Sequence, residues 1–155
     1  MSETIPGAFI TRKGEGEVFR FLGDPTEVLI SDKDTGGAYA LIDAVFAPGS
    51  GSPPHVHANE DEFFLVIDGE IDFHVDGKVL RAKAGDFVHA YRGTPHFFVN
   101  PLDRPSRMQV GILPGHFLNF FREFATPIDA APQPPDPVKL TEAAARYGVT
   151  IFPPA

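Results

Sequence analysis

The segment His55-Val56-His57 most strongly restricts what this chain can fold into. In a β-strand, residues i and i+2 face the same side, so a strand here would direct both imidazole rings to one point. Glu62 follows at the start of an apolar run, and His96 comes from a later apolar segment. Imidazole nitrogens and a carboxylate oxygen are ligands for divalent iron, nickel, manganese, cobalt, copper and zinc. The pattern therefore predicts one mononuclear metal site inside a β-barrel.

Short apolar segments separated by turn residues fill roughly the first 113 positions, which is the pattern of a β-sandwich or barrel. Asp68-Gly69 and Asp76-Gly77 are both hairpin signals, and the second would join residues 71–75 to 78–81. The run over residues 63–67 is apolar on both faces, so its second face needs a cover from another sheet or a neighbouring subunit. The segments predict strands over residues 18–22, 26–31, 38–47, 63–67, 71–75, 78–81, 86–91, 96–100 and 108–113.

The periodicity changes after Pro114-Gly115. Four phenylalanines then recur at helical spacing and predict an amphipathic helix over residues 117–124. A proline-rich linker over 131–137 precedes a second predicted helix over 140–147, with Thr141 as a possible N-cap and Gly148 as its stop. A final apolar strand over 149–152 is expected to pack back on the barrel.

Length and composition limit the class of protein. A chain of 155 residues suits one domain, with a barrel core at about 17–113 and a C-terminal helical extension at 115–155. The net charge of −8 and the absence of a basic stripe in the sequence disfavour binding to nucleic acid or to an anionic membrane surface. The absence of cysteine excludes disulfides and a thiol nucleophile. Residues 1–6 do not resemble a signal peptide, and no run is long enough to span a membrane, so the expected location is the cytoplasm.

Two blocks of residues resemble a known family. The first has the pattern Gly49-x5-His55-x-His57-x4-Glu62-x6-Gly69, which resembles the first conserved motif of the cupins. The second has the pattern Gly85-x5-Tyr91-x-Gly93-x2-His96-x3-Asn100, which resembles the second motif, although that family usually has proline where this chain has Tyr91. Two multi-residue motifs in the right order are far more specific than a single His-x-His pair.

The resemblance implies an all-β fold, a double-stranded β-helix (jelly-roll) barrel with one or two short C-terminal helices. It also implies that His55, His57, Glu62 and His96 surround one divalent transition metal. Three histidines and one carboxylate would leave coordination positions open for water, dioxygen or a substrate oxygen, as in a catalytic site. Glu62 is also the candidate catalytic residue, either as a ligand or as a general base.

Several assignments stay open at this point. Glu60 and Asp61 are rival carboxylates, and Glu62 is favoured because its spacing matches the motif and it begins the strand. Among the other histidines, His74 is predicted to lie on the outer face of its strand. His89 would either contact the pocket or be a core or interface residue, and His116 has no evident partner.

Aromatic residues are the candidate lining of a substrate pocket, since the chain has fifteen phenylalanines. The predicted helix over 117–124 would either be ordinary core or close one barrel mouth above the metal. Small cupins similar to quercetinases often carry such a helix after the last strand. The candidate pocket residues are Phe64, Phe73, Phe98, Phe117 and Phe121.

The resemblance implies a metal-dependent, quercetinase-like dioxygenase that acts on an aromatic or polyphenolic, flavonol-like small molecule. One alternative is a non-redox isomerase or polyketide-cyclase-like enzyme, although a sugar phosphate substrate would require converging arginines or lysines. Another is a non-catalytic cupin that binds a small ligand. The apolar surfaces of residues 18–22, 63–67 and 149–152 together predict a homodimer.

Overall fold

The computed structural model describes residues 2–153, over which the chain forms fourteen strands and two α-helices. The strands are β1 Ser2–Ile5, β2 Ala8–Thr11, β3 Glu17–Phe21, β4 Asp24–Ile30, β5 Ala40–Phe46, β6 His55–His57, β7 Asp61–Asp68, β8 Glu70–Val75, β9 Lys78–Lys83, β10 Phe87–Ala90, β11 His96–Val99, β12 Ser106–Leu113, β13 Ala125–Thr126 and β14 Val149–Ile151. A 3₁₀ turn, Gly115–Phe117, leads into helix α1 (Leu118–Glu123), and helix α2 spans Pro137–Arg146. Within the described residues, no helix is long and apolar enough to cross a membrane.

Two antiparallel sheets form the barrel. The larger has seven strands in the order β10-β7-β12-β5-β4-β3-β13, and the smaller has five in the order β14-β6-β11-β8-β9. Between β5 and β12 the chain passes repeatedly from one sheet to the other, so neighbours in space are distant in sequence. This topology confirms the predicted all-β, double-stranded β-helix fold. The hairpin β1–β2, which the apolar pattern did not predict, pairs with neither of these sheets.

The inner faces of the two sheets meet in an aromatic core. Phe64 of β7 and Phe73 of β8 are each 1% exposed, and their ring centroids lie 5.0 Å apart. Phe98 of β11 contacts both rings and also packs edge-on against Phe46 of β5 at 5.2 Å. Full burial of one such side chain stabilises a fold by about 1.5–3 kcal/mol. This core holds the two sheets together by apolar packing.

The turn at Asp68-Gly69 corrects one prediction. The sequence predicts a hairpin there, but β7 belongs to the larger sheet and β8 to the smaller, so the chain crosses between sheets. Gly69 has φ +80°, and a Cβ atom at this position would lie 2.3 Å from Ser106 Oγ. The glycine thus allows the backbone to pass close to Ser106 where the chain crosses between the sheets. By contrast, the predicted hairpin at Asp76-Gly77 is confirmed, since β8 pairs with β9.

Strand β7 alternates between buried residues on its inner face and partly buried ones on its outer face. On the outer face the Phe63 ring stacks on Phe87 of β10 at a centroid distance of 5.6 Å. Part of the cover that this strand requires therefore comes from its own sheet. Phe87 and Tyr91 nonetheless remain 59% and 70% exposed. The homodimer stays a prediction.

The second C-terminal helix begins earlier than the sequence predicts. Asp136 is its N-cap, with Oδ1 accepting hydrogen bonds from the backbone N–H groups of Val138 and Lys139, and Pro137 occupies the first turn. The predicted cap, Thr141, lies inside the helix and donates its hydroxyl to the Pro137 carbonyl at 2.8 Å. Proline at the first helical position is favourable because its missing N–H would be unpaired there anyway. The helix ends at Arg146, before Gly148 with φ +74°.

Asn100 ties the end of β11 to the neighbouring strands. Its side chain is 1% exposed, and Nδ2 donates to the carbonyl oxygens of Phe46 at 3.0 Å and Arg104 at 2.8 Å. Its Oδ1 accepts from the Leu102 N–H at 2.9 Å and from the Ser106 hydroxyl at 3.2 Å. All four hydrogen-bonding positions of the amide are therefore used. This arrangement gives the asparagine of the second motif a structural role.

The variant Asn100→Ala is expected to destabilise the barrel, because it removes hydrogen bonds to three backbone groups, of which the Phe46 carbonyl is buried. A buried group that loses its partner costs about 1–3 kcal/mol. Urea denaturation of the variant and of an Asn59→Ala control, whose residue is exposed, measures the difference. A loss no larger than that of the control would show that water replaces the side chain.

Candidate metal centre

Strands β6 and β11 bring three histidines to one end of the barrel. His55 and His57 both project inward from β6, as the i, i+2 spacing predicts. His96 of β11 lies directly opposite His55 in the antiparallel register. The three residues are 9%, 2% and 5% exposed, respectively. The smaller sheet thus presents three buried imidazoles on its inner face.

Glu62 reaches the same point from the opposite sheet. It lies on the inner face of β7 and is 5% exposed. Its Oε1 atom lies 2.9 Å from Nε2 of His57, 3.2 Å from Nε2 of His96 and 3.7 Å from Nε2 of His55. Ligand atoms of His55, Glu62 and His96 all fall within 4.8 Å of one another. The structure therefore brings together the four side chains that the sequence identifies.

Hydrogen bonds orient each imidazole ring. The Nδ1 atoms of His55 and His96 lie 2.8 Å and 2.9 Å from the carbonyl oxygens of Pro53 and Thr94. The Nδ1 atom of His57 lies 3.3 Å from the Glu60 carboxylate. Because a carbonyl or carboxylate oxygen only accepts, each Nδ1 must carry the proton. In a neutral ring, Nε2 then presents its lone pair to the centre of the cluster, as in metal-ligating histidines.

The arrangement fits a cation. Within residues 2–153, His57 Nε2, His96 Nε2 and Glu62 Oε1 are buried and have no hydrogen-bond partner. Buried polar atoms without a partner are costly, and lone pairs directed at one another are costlier still. A divalent ion at the centre would satisfy all of them. The cluster could therefore hold a metal with a three-nitrogen, one-oxygen donor set.

The pKa shifts of His57 and Glu62 also indicate that the cluster favours a positive charge. Burial lowers the pKa of His57, but the carboxylates of Glu62 and Glu60 raise it more strongly, to about 9. Burial likewise raises the pKa of Glu62, yet the nearby histidines hold it well below its usual range. Protonation of His57 and metal binding therefore compete for the same Nε2 atom, because a metal ligand must be deprotonated.

The two rival carboxylates lie elsewhere. Asp61 accepts hydrogen bonds from the backbone and side chain of Arg92, and these hydrogen bonds lower its pKa. Glu60 contacts Nδ1 of His57, on the side of the ring away from the cluster centre. Of the three adjacent acidic residues, Glu62 is the one that faces the three Nε2 atoms.

A cavity of about 90 Å³ extends from the histidine cluster into the barrel. His55, His57 and Glu62 form part of its wall, and most of the remaining wall is apolar. One part of the wall comes from the C-terminal extension, through Phe117 beside α1 and through residues of α2 and β14. The edge of the Phe117 ring packs on His57 with centroids 4.7 Å apart. The cluster thus faces an apolar cavity to which the extension contributes one wall.

The structure divides the five candidate pocket residues into two groups. Phe98, Phe117 and Phe121 line the cavity, whereas Phe64 and Phe73 lie deeper in the core and are not part of the described lining. Phe64, Phe73 and Phe98 all lie on the inner faces of their strands, so the alternation of a strand does not separate them. Phe64 instead packs near His96, with ring centroids 6.2 Å apart.

Some lining residues have no signal in the sequence. Phe21 comes from β3, and Leu140, Val149 and Ile151 come from the C-terminal extension. Strand β14 pairs directly with β6, so that Val149 lies opposite His57. Contacts between distant parts of the chain bring these residues to the site, and no local spacing reveals such contacts.

The remaining histidines lie away from the cluster. His74 stacks on Phe97 with centroids 4.2 Å apart. His89 is exposed and packs edge-on against Tyr91, so it does not line the pocket. His116 is exposed, and its Nδ1 lies 3.2 Å from the Asn119 side-chain amide. These contacts give none of the three a place at the metal centre.

Comparison with known proteins agrees with the fold and the motifs. The model of the cupin domain matches residues 43–112, which include all four residues of the cluster. Over residues 43–112 the chain is therefore similar to the cupin domain. Tyr91 stands at a position where the cupin motif usually has proline, and its carbonyl accepts a hydrogen bond from the Thr94 N–H at 3.1 Å. The tyrosine side chain is exposed.

The chain is similar to three curated proteins, two of which are described below, and to many solved structures. It is 28% identical over 127 residues to quercetin 2,3-dioxygenase of Bacillus subtilis (strain 168), a match that covers 82% of the chain and 37% of that protein. It is 25% identical to the tetracenomycin polyketide synthase protein TcmJ of Streptomyces glaucescens, over 59% of the chain and 62% of that protein. The chain thus spans less than two thirds of both relatives. The structure of KdgF from Halomonas sp. superposes with a TM-score of 0.60 at 21% identity, over 70% of the chain and 94% of KdgF.

Proposed function

We propose that this protein is a metal-dependent dioxygenase of the quercetinase-like type, acting on an aromatic or polyphenolic substrate. One observation carries the proposal: three histidine Nε2 atoms converge on Glu62 Oε1 at the wall of an aromatic-lined cavity. The similarity to the Bacillus quercetin 2,3-dioxygenase supports it. The metal would be one of iron, nickel, manganese, cobalt, copper or zinc, since all accept these donors.

His55, His57, Glu62 and His96 would hold the ion. When bound, it would supply Lewis acidity and, if it is redox-active, the electron transfer that dioxygen chemistry needs. The chain itself contributes a carboxylate and a dry apolar wall. Glu62 would be the candidate base for a substrate hydroxyl, because its carboxylate lies at the cavity wall and faces the centre of the cluster. The rings of Phe98, Phe117 and Phe121 would position a flat substrate by stacking and would exclude water.

The size of the cavity bears on the substrate. At about 90 Å³, it is smaller than the roughly 300–1,000 Å³ of typical ligand pockets. A flavonol therefore requires one wall to move outward. Strand β14 is the edge strand of the smaller sheet and, among the described strands, pairs only with β6, and α2 before it follows the proline-rich residues 127–136. We expect the wall formed by α2 and β14 to move outward when a substrate binds.

Two other functions remain alternatives. The similarity to TcmJ and the apolar lining favour a polyketide-cyclase-like enzyme that uses the same ligands without redox chemistry. The described cavity lining includes no lysine or arginine, which disfavours an isomerase acting on sugar phosphates. A cupin that binds a small ligand without turnover would share the same site.

Metal analysis combined with oxygen uptake separates these functions. The protein is purified without added metal, its metal content is measured, and oxygen consumption is followed with a panel of flavonols. A redox-active metal together with substrate-dependent oxygen uptake supports the dioxygenase. Bound zinc without oxygen uptake counts against it and favours the cyclase or the binding protein. The variant Glu62→Gln serves as the control for uptake that does not depend on the site.

A further inference from the structure

We propose that Glu60 is a positioning residue for the metal centre, with a carboxylate that holds the His57 ring so that Nε2 faces the ion. The inference rests on the metal site proposed above. It concerns a residue outside the set of four ligands. It also separates His57 from the other two histidines, because only His57 has a charged side chain as the partner of its Nδ1 atom.

The burial of Glu60 sets it apart from its surroundings. Ala58 and Asn59, which precede it in the connection from β6 to β7, are both exposed, whereas Glu60 is 6% exposed. A buried carboxylate is costly unless it is paired. Within residues 2–153, the polar contact shown for this carboxylate is with Nδ1 of His57, at 3.3 Å. The chain therefore turns an acidic side chain inward at a point where its partner is a metal-ligand histidine.

The other two histidines are oriented differently. Nδ1 of His55 and Nδ1 of His96 each contact a backbone carbonyl two residues earlier, those of Pro53 and Thr94. Such a partner is present whatever the side chain is. Of the three histidines, only His57 has a side chain as the partner of Nδ1. One substitution at Glu60 therefore removes that contact.

Packing restrains the His57 ring from the cavity side as well. The Phe117 ring meets it edge-to-face, with centroids 4.7 Å apart and planes at 85°. Glu60 and Phe117 thus restrain the position of one ligand together. The anionic partner adds a second effect, since a carboxylate hydrogen-bonded to Nδ1 makes Nε2 a stronger donor to a metal.

Binding of Zn²⁺ to variants at this position tests the inference. Partners of this kind typically contribute about 10- to 100-fold in metal affinity. We expect Glu60→Leu to weaken Zn²⁺ binding by that amount in a competition assay with a chelating dye. Glu60→Gln should weaken it less, because the amide oxygen still accepts the Nδ1 proton. Glu142→Gln, which removes an exposed acidic charge on α2, should bind as the wild type does.

A second readout distinguishes positioning from a general structural effect. Hydrogen–nitrogen correlation NMR of the Zn²⁺-loaded protein should show an exchange-protected Nδ1 proton on His57. Glu60→Leu should lose that signal while the corresponding signals of His55 and His96 remain. Glu60→Ala provides the same comparison if the leucine variant fails to fold.

Two results would overturn the inference. If Glu60→Leu folds, keeps the His57 signal and binds Zn²⁺ with wild-type affinity, Glu60 has no positioning role, although the metal centre stands. If the wild-type protein itself binds no Zn²⁺, both the metal centre and the role of Glu60 fail. The wild-type measurement therefore tells the two failures apart.

Discussion

The variant His96→Ala is expected to lose most of its bound metal while the barrel stays folded. Even residues that only support a ligand contribute about 10- to 100-fold in metal affinity, so loss of a direct ligand should exceed that range. The fold should survive because its core is apolar, with Phe64 and Phe73 each 1% exposed. Metal content by elemental analysis and secondary structure by circular dichroism measure the two effects.

Two comparisons sharpen this prediction. His89→Ala, a change at an exposed histidine, should leave metal content unaltered. The melting temperature of the wild-type protein should fall on treatment with a chelator, since a bound ion stabilises only the folded state. The melting temperature of His96→Ala should not respond. If His96→Ala is unfolded both with and without metal, the site is needed for the fold and is structural.

The variant Phe117→Ala is expected to affect both stability and the cavity. Its ring is 5% exposed, stacks on Phe120 at 4.9 Å and packs against His57 at 4.7 Å. Truncation of a buried phenylalanine costs about 3–5 kcal/mol in the free energy of unfolding. The same truncation opens space next to a metal ligand, so the affinity for a flavonol probe should change as well. Urea denaturation and probe titration of the metal-loaded protein measure the two effects separately.

Phe124→Ala is the matched control for this variant. Phe124 directly follows α1 and packs on Phe120 with centroids 5.2 Å apart, but it is not part of the described cavity lining. Its truncation should lower stability by less and leave the affinity for the probe unchanged. If Phe117→Ala also changes only stability, Phe117 is ordinary core, and the proposed role of the extension in the cavity is wrong.

The sequence alone identifies the metal-ligand candidates because their signal is local. The i, i+2 spacing of His55 and His57 places both rings on one face of β6. The motif spacing selects Glu62 over its two acidic neighbours, and the structure directs Asp61 to Arg92. These assignments depend on a strand and a short connection, which nearby residues largely determine.

The structure differs from the sequence-based predictions where contacts between distant parts of the chain determine it. An Asp-Gly pair suits a hairpin and a crossover equally well, so Asp68-Gly69 could not reveal that β8 joins the other sheet. Strand alternation places Phe64 and Phe98 inside the barrel alike, yet only Phe98 reaches the cavity. The cap at Asp136 was missed for another reason, since the apolar pattern of α2 begins after its first turn.

X-ray diffraction from metal-loaded crystals, recorded at the absorption edge of the metal, tests the central claim most directly. The account predicts one ion per chain, bound by Nε2 of each of the three histidines and by the Glu62 carboxylate, at roughly 2.0–2.2 Å. An ion bound elsewhere, or one that His57 or Glu62 does not contact, would contradict it.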